Sequence, residues 1–343
     1  MNIAVLMGGV SPERNISLFG GKAIYNALSE KGHNVIAVDP ALGTDSKINI
    51  NEIEINTSPI TREELKEYDK RSILNCINSD IFDNIDCVFI ILHGENGEDG
   101  LVQSLLELRG IPYTGSGVKS SSLSMDKITT KMLFNYSNIP TPPWSVVDIH
   151  SADDFDLLES IRNEIGRNIV VKPNNQGSAV GINIIEGGNL DDLSSAIKEA
   201  SKYSTDVLLE TYIPGKEITV GILDNKPLSP IEIVPNEGYY DFEHKYTKGK
   251  TNYICPAELE DHITGFAQSI SLDASMVCGT SDFSRVDLRV TKEGQIFCLE
   301  VNTIPGFTET SLFPMAAKAS GIEFGDLCEK LVNLGIESFK NGK

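Results

Sequence analysis

Toward the C-terminal end of this chain, Arg285-Val286-Asp287 is followed by the run Gln295 to Glu300, then by Asn302 and Pro305-Gly306. Read as two strands, these residues set Asp287, Glu300 and Asn302 where three oxygen ligands can converge on one hard cation. Mg²⁺ takes oxygen ligands and needs only one or two carboxylates, leaving positions for water and substrate phosphates. Arg285 lies two residues before Asp287, so on a strand both project from one face. A guanidinium beside such a site is what a transferring phosphoryl group requires. The same residues also suit an ordinary pair of amphipathic strands with solvated acids. The length of the cluster and the glycine-bearing turn after it favour the metal reading.

Other segments carry chemistry of related kinds. A strand over Asn168 to Lys172 runs into Pro173-Asn174-Asn175-Gln176-Gly177-Ser178-Ala179-Val180-Gly181. Backbone N–H groups of such a loop can cradle phosphate oxygens, although a plain hairpin turn fits equally, and the pattern is neither a Walker A nor a GxGxxG sequence. Lys172 and Lys127 are candidate phosphate cations or ordinary surface charges. Leu208 to Glu217 joins a strand to a turn; its backbone can hold adenine and Glu217 can reach ribose hydroxyls, or it is a connector with exposed acids. Glu13 follows the Gly8-Gly9 turn and can pair with a substrate ammonium, or serve as a first-turn helix acid. His93-Gly94-Glu95-Asn96-Gly97-Glu98-Asp99-Gly100 matches no zinc pattern and reads as a glycine-rich turn.

The elements that must position these residues fall into parts. At 343 residues two or three domains are expected. Up to about residue 118, strand and helix signals alternate: Asn2 to Leu6, a helix near Ser17 to Lys31, Asn34 to Val38, and the apolar run Cys87 to Leu92. This pattern predicts a parallel sheet with its sites at the C-terminal strand ends. Residues 40–80 read as a polar, acidic, loop-rich insertion with a short helix. Pro140, Pro142 and Pro143 mark a linker or strand entry, and later segments read as strands with helices at Leu190 to Lys202 and 258–279. With 40% hydrophobic residues and a net charge of −20, the composition is that of a soluble protein without a basic nucleic-acid-binding face. Six cysteines without CxxC pairing suit buried thiols in a reducing compartment. Met1 to Met7 lacks the features of a signal peptide, and no run approaches the ~18 apolar residues of a membrane span. A cytoplasmic protein with neither nucleic-acid nor membrane partners is expected.

In order along the chain stand GGVSPER at 8–14, HGENGEDG at 93–100, GIPYTGSG at 110–117, MDK at 125–127, KPNNQGSAVG at 172–181, EHKY at 243–246, SRVDL at 284–288 and LEVNTIPGFTETSL at 299–312. The ordered set covers nearly the whole chain and resembles the D-alanine–D-alanine ligases of the ATP-grasp superfamily. That resemblance implies an α/β fold, α+β in its C-terminal two-thirds. A Rossmann-like pre-ATP-grasp domain at 1–118 would precede a two-subdomain ATP-grasp fold, with the phosphate loop in 119–212 and the omega loop and metal site in 213–343. It implies ATP-dependent joining of two D-alanine molecules through an acyl phosphate, releasing ADP and phosphate, in a homodimeric enzyme of peptidoglycan precursor synthesis.

Residue roles follow from the same resemblance. Asp287, Glu300 and Asn302 would hold two Mg²⁺ ions, with Mn²⁺ as an alternative. Lys127 and Lys172 would contact phosphates, and the 176–181 loop, with Gln176 and Gly177, would close over them. Glu210 and the Thr211, Tyr212 and Ile213 backbone would hold adenine, and Glu217 the ribose. Glu13 would bind the first D-alanine ammonium and His93 would orient carboxyl groups. Arg285 and the Gly306 N–H would stabilise the acyl phosphate and the oxyanion, while Ser311 and the Leu312 amide would take the second D-alanine carboxylate. Ser178, Tyr246 and Glu13 resemble a trio that ties a mobile loop, roughly 236–254, over the site, bringing Lys245 to the phosphates.

The chain departs from the family pattern at Ala179, where many members carry a second serine, and at Gln176, often Glu or Leu. The intact Lys245-Tyr246 pair favours an amine acceptor. A sister ligase using D-lactate or D-serine is the nearest alternative. A silent nucleotide-binding module would tolerate losing Arg285 or a metal ligand, and all are present. An NAD oxidoreductase lacks its GxGxxG.

Overall fold

Strands apolar on both faces suit a parallel sheet covered on each side. Asn2–Leu6 (β1) and Asn34–Val38 (β2) pair in parallel, Lys47–Ile48 (β3) adds an antiparallel edge, and Cys87–Ile90 (β4) pairs in parallel with β1. The order is β3-β2-β1-β4. Because β1 and β4 are parallel neighbours, the turns after them, Gly8-Gly9 and His93-Gly94, emerge at the same edge. The structure, a computed structural model, describes residues 1–54, 58, 60–239 and 249–343. No helix among them is long and apolar enough to cross a membrane.

The helix Arg14–Glu30 lies on this sheet through Ile16, Ser17, Gly20, Gly21, Ile24 and Leu28, the three-to-four spacing of one buried face. It approaches closely because Gly21 has no Cβ: one placed there would lie 2.6 Å from that of Met7. Glu13, just before the helix, is thereby fixed above the strand ends. The described residues of segment 40–80 hold more regular structure than the composition implies. They contain β3 and the helices Arg62–Leu65 and Ser72–Ile77, and Ile73, Cys76 and Ile77 enter the core. A few apolar residues at helical spacing are enough to dock a polar segment.

The second sheet is antiparallel: Trp144–Asp148 (β5), Ile169–Pro173 (β6), Asn183–Ile185 (β7) and Asp206–Thr211 (β8) in the order β5-β8-β6-β7. Pro143 ends the proline cluster where β5 begins. The helices Phe155–Ile165 and Leu190–Ala200 cover one face. The third sheet contains Lys216–Leu223 (β9), Lys226–Pro227 (β10), Ile231–Pro235 (β11), Thr251–Ile254 (β12), Phe283–Val290 (β13) and Ile296–Asn302 (β14). Its path is β12-β11-β9-β13-β14, with β10 on β9. Val220, Val286, Leu288 and Val301 face the helix Asp261–Val277. Of the loop expected over roughly 236–254, Thr251–Ile254 form β12, paired with β11, and residues 240–248 lie outside the described residues.

The first and third sheets share one core. Phe307 is wholly buried against Phe89 of β4, Phe283 of β13 and Phe313, with ring centroids 5.5 to 6.0 Å apart. Truncating such a side chain costs about 3–5 kcal/mol. Phe307 therefore pins Gly306, its neighbour, between the two sheets.

Candidate active site

Antiparallel pairing places Arg285 opposite Asn302 and Asp287 opposite Glu300. Directly opposed residues share a face, so all four project together while Val286, Leu288 and Val301 point into the core. The register shifts after Asp287, with Leu288 opposite Cys298. This leaves an extra residue on β14 next to Glu300, a bulge of the kind that re-aims side chains. Asp287 accepts from Thr219 Oγ1 at 2.6 Å and from Arg285 through both oxygens, at 2.9 and 2.8 Å.

One cavity of about 780 Å³ gathers residues from distant parts of the chain. Glu13, His93, Lys127, Gly177, Ser178, Arg285, Glu300, Asn302, Gly306, Ser311 and Leu312 all line it. Glu13 is the residue before the helix Arg14–Glu30, yet its carboxylate makes no capping bond. It accepts the Ser178 hydroxyl instead. Ser178 and Ala179 both have left-handed backbones, φ 48° and 60°, an uncommon conformation for residues with a Cβ. Gly94 at φ +69° lets the His93 turn pass beneath Glu13, since a Cβ there would sit 2.9 Å from Glu13 Oε2. Ser311 Oγ accepts from the Thr308 N–H at 2.9 Å, and Leu312 opens the helix Leu312–Ala319, whose first-turn N–H groups favour an anion.

Burial tunes the groups around Glu13. It pushes His93 below the usual histidine range despite the nearby carboxylate, so the ring is neutral, and its Nε2 is buried without a partner among the described residues. Glu98, on the same wall, is pushed up to about 8 by burial and by the Glu13 charge, although the Gly94 N–H donates to it at 2.7 Å.

Lys127, on the cavity wall, leads to a second group of residues. The MDK segment works through its cap: Asp126 accepts from the Thr129 N–H at 2.8 Å and starts the helix Lys127–Tyr136. Lys127 Nζ lies 3.1 Å from Glu300 and donates to the Gln176 carbonyl at 2.7 Å. Val170 pairs with Glu210 and Lys172 with Leu208, so Lys172 and Glu210 are diagonal neighbours and form an ion pair. Burial works to lower the Lys172 pKa, but Glu210 and then Glu300 outweigh it and raise it. Arg289, two residues beyond Asp287, donates to the Ile213 and Gly215 carbonyls at 3.0 and 2.9 Å and to Glu217 at 3.2 Å. It also lies over the Tyr212 ring. Thr211 is tied by its N–H to the Pro143 carbonyl.

Glu98, Lys131, Thr219 and Arg289 were not among the residues expected from sequence. Arg289 and Lys131 carried a signal, a strand step of two from Asp287 and a helix step of four from Lys127. Lys245 and Tyr246 fall outside the described residues. Three acidic, histidine or cysteine side chains grouped for a metal do not occur among the described residues; the candidate set has two carboxylates and the Asn302 amide.

The N- and C-terminal models of the D-ala D-ala ligase family match residues 2–116 and 133–333. The chain belongs to the D-alanine–D-alanine ligase family. The D-alanine–D-alanine ligase of Methylacidiphilum infernorum is 41% identical over 339 residues, spanning 99% of this chain and 97% of its own length. That of Geobacter sulfurreducens is 40% identical, over 96% of this chain and 92% of the relative. Among solved structures, the Bacillus anthracis ligase superposes with a TM-score of 0.79 at 31% identity, with full coverage of both chains. The same ligase complexed with ATP gives 0.76 at 29%, again with full coverage. The fold is that of this ligase family, α/β with mixed helices and sheets.

Proposed function

We propose that this chain uses ATP to join two D-alanine molecules into D-alanyl-D-alanine, releasing ADP and phosphate, for peptidoglycan synthesis. The observation that carries the reading is the meeting of Glu13, Arg285, Gly306 and the Ser178 loop around one cavity. These are groups for an ammonium, an acyl phosphate and a closing phosphate loop. Glu13, a buried carboxylate, binds the ammonium of the first D-alanine. The neutral His93 ring orients its carboxyl group. That carboxylate attacks the ATP γ-phosphate, and Arg285 and the Gly306 N–H stabilise the acyl phosphate. The second D-alanine, held through its carboxylate by Ser311 and the Leu312 amide, attacks as a free amine. The resulting oxyanion meets Arg285 and Gly306 before phosphate leaves. Alignment of two small zwitterions inside one cavity supplies much of the rate.

ATP sits, in this reading, between the second and third sheets. Lys127 and Lys172 meet its phosphates, Gln176 and Gly177 cover them, and Glu210 with the backbone of Thr211, Tyr212 and Ile213 holds adenine. Glu217, oriented by Arg289, takes the ribose. Asp287, Glu300 and Asn302 fit Mg²⁺, or Mn²⁺, because all three offer hard oxygens from one sheet face. The ions would neutralise phosphate charge. The family resemblance would add Tyr246 to the Ser178–Glu13 contact as a lid and bring Lys245 with it, both being outside the described residues. The division at 1–118, 119–212 and 213–343 remains part of the proposal, supported by one sheet in each span. So do a homodimer, read from the family, and a cytoplasmic site of action, which the free cysteines suit.

The test is ADP release by purified protein with Mg²⁺-ATP and a panel of D-alanine, D-lactate, D-serine and L-alanine. D-alanine-dependent ADP with D-alanyl-D-alanine as product is expected. ADP release indifferent to D-alanine would overturn the reading, and a preference for D-lactate would move the acceptor.

A further inference from the structure

Lys131 is fully buried, and the mechanism above does not use it. It sits one helical turn from Lys127, with Nζ 2.8 Å from Glu210 Oε2, and donates to Thr141 Oγ1 at 2.7 Å. Thr141 in turn donates to the Cys298 carbonyl of β14 at 2.8 Å. The other Glu210 oxygen belongs to Lys172, so one buried carboxylate stands between two lysines.

Both proposed phosphate cations thus have carboxylate partners, Glu300 for Lys127 and Glu210 for Lys172. A phosphate oxygen drawing on either lysine competes with that carboxylate. Glu300 lies on the face of the proposed metal donors, where a bound cation would compensate it. Glu210 is 1% exposed and lies off that face, and a buried charge that loses its only partner is strongly destabilised. We infer that Lys131 is a positioning residue for the nucleotide phosphates: it keeps Glu210 compensated, so that Lys172 can leave that carboxylate for a phosphate oxygen. Burial pushes Lys131 below its ordinary value, with Glu210 opposing. Burial works to raise Glu210, but Lys131 and Lys172 hold it below the usual carboxylate range. The carboxylate is therefore charged and in need of a standing partner. The inference rests on the reading of Lys172 as a phosphate ligand.

The test compares Mg²⁺-ADP with adenosine, which lacks the phosphates, by calorimetry and competition. Lys131→Met is expected to weaken Mg²⁺-ADP by about tenfold or more, because Glu210 then captures Lys172. Adenosine should change by less than about threefold, within the scatter of independent effects. In Lys131→Met/Glu210→Gln, where the charged Glu210 no longer holds Lys172, the ratio of ADP to adenosine affinity should return to within about threefold of the parent. A merely structural Lys131 would weaken both ligands alike, and that result overturns the inference. So does an unmoved ADP affinity, or a double variant whose ratio stays low. If Lys131→Met does not fold, Lys131→Gln, which keeps a polar group beside Thr141 but leaves Glu210 without that charge, is read by the same ratio. That ratio should again fall about tenfold, and the inference is overturned if it does not. Lys172→Ala separates the two failures. If it leaves Mg²⁺-ADP binding unchanged, the phosphate reading of Lys172 fails and the inference with it. If it weakens ADP alone while Lys131→Met does not, only the Lys131 inference falls.

Discussion

Ser178 donates its hydroxyl to Glu13 across 165 residues of chain. The contact joins the phosphate loop to the first sheet at the carboxylate assigned to the first D-alanine, so substrate binding and loop position are coupled through one side chain. Ser178→Ala should lower turnover about tenfold and raise the KM for D-alanine, because a hydrogen bond to a charged acceptor contributes about 1.5–3 kcal/mol. Thermal stability should move little, since the loop surface is half-buried. Turnover and both KM values equal to wild type would remove the loop contact from the mechanism.

Arg285 occupies both oxygens of Asp287 and faces the cavity. Arg285→Ala should reduce turnover by about 10²–10³, the usual scale for one oxyanion donor. Mg²⁺-ADP binding should survive largely intact. Single-turnover assays alongside nucleotide calorimetry check this; near-normal turnover would refute the role.

Thr219 donates to Asp287 at 2.6 Å from the centre of the third sheet. Outer partners that orient a ligating carboxylate are worth roughly 10–100-fold in metal affinity or activity. Thr219→Val keeps the shape and removes the hydroxyl, so a Mg²⁺ titration of activity should shift to higher concentration by about tenfold. A superimposable titration would separate Asp287 from the metal.

Burial, and then the Glu13 charge, push Glu98 up to about 8 from its ordinary 4.5. Its folded pKa is raised, so its contribution to stability is fully present below about pH 4.5 and is lost as pH rises through about 8. Glu98→Gln removes the titration. The wild-type melting temperature should therefore fall more steeply than that of the variant between about pH 5 and about pH 9. Parallel melting curves across that range would show that Glu98 is not protonated in the native protein.

Arg289 holds two carbonyls and the acid of the segment assigned to adenine and ribose. Arg289→Met should raise the KM for ATP about tenfold, the scale of one charge-assisted hydrogen bond, and leave the KM for D-alanine unchanged. Equal changes in both constants would mark a general loss of structure instead.

What could be read from sequence alone rests on backbone periods. The strand period of two aligns Arg285, Asp287 and Arg289, and the continuous apolar runs announce the buried parallel strands β1 and β4. The order of short motifs was enough to point to the ligase family, since each motif is a local cluster of turn and charge residues. Burial could not be read in the same way. Residues 40–80 look like polar insertion because most of their side chains are polar, yet Ile73, Cys76 and Ile77 dock into the core. Residues 251–254 look like loop because their partner strand β11 is set by long-range pairing, not by local pattern.

The chain therefore determines, residue by residue, which side chains share a face and which chemistry they can offer. The tertiary structure decides which faces meet: Glu13 with Ser178, Gly306 with the first sheet through Phe307, and Lys131 with Glu210. It also decides what charge those groups carry. The Glu98 proton and the Lys131–Glu210–Lys172 arrangement come from desolvation and from neighbours distant in sequence. Spacing is a property of the local backbone, whereas desolvation exists only once the sheets have packed.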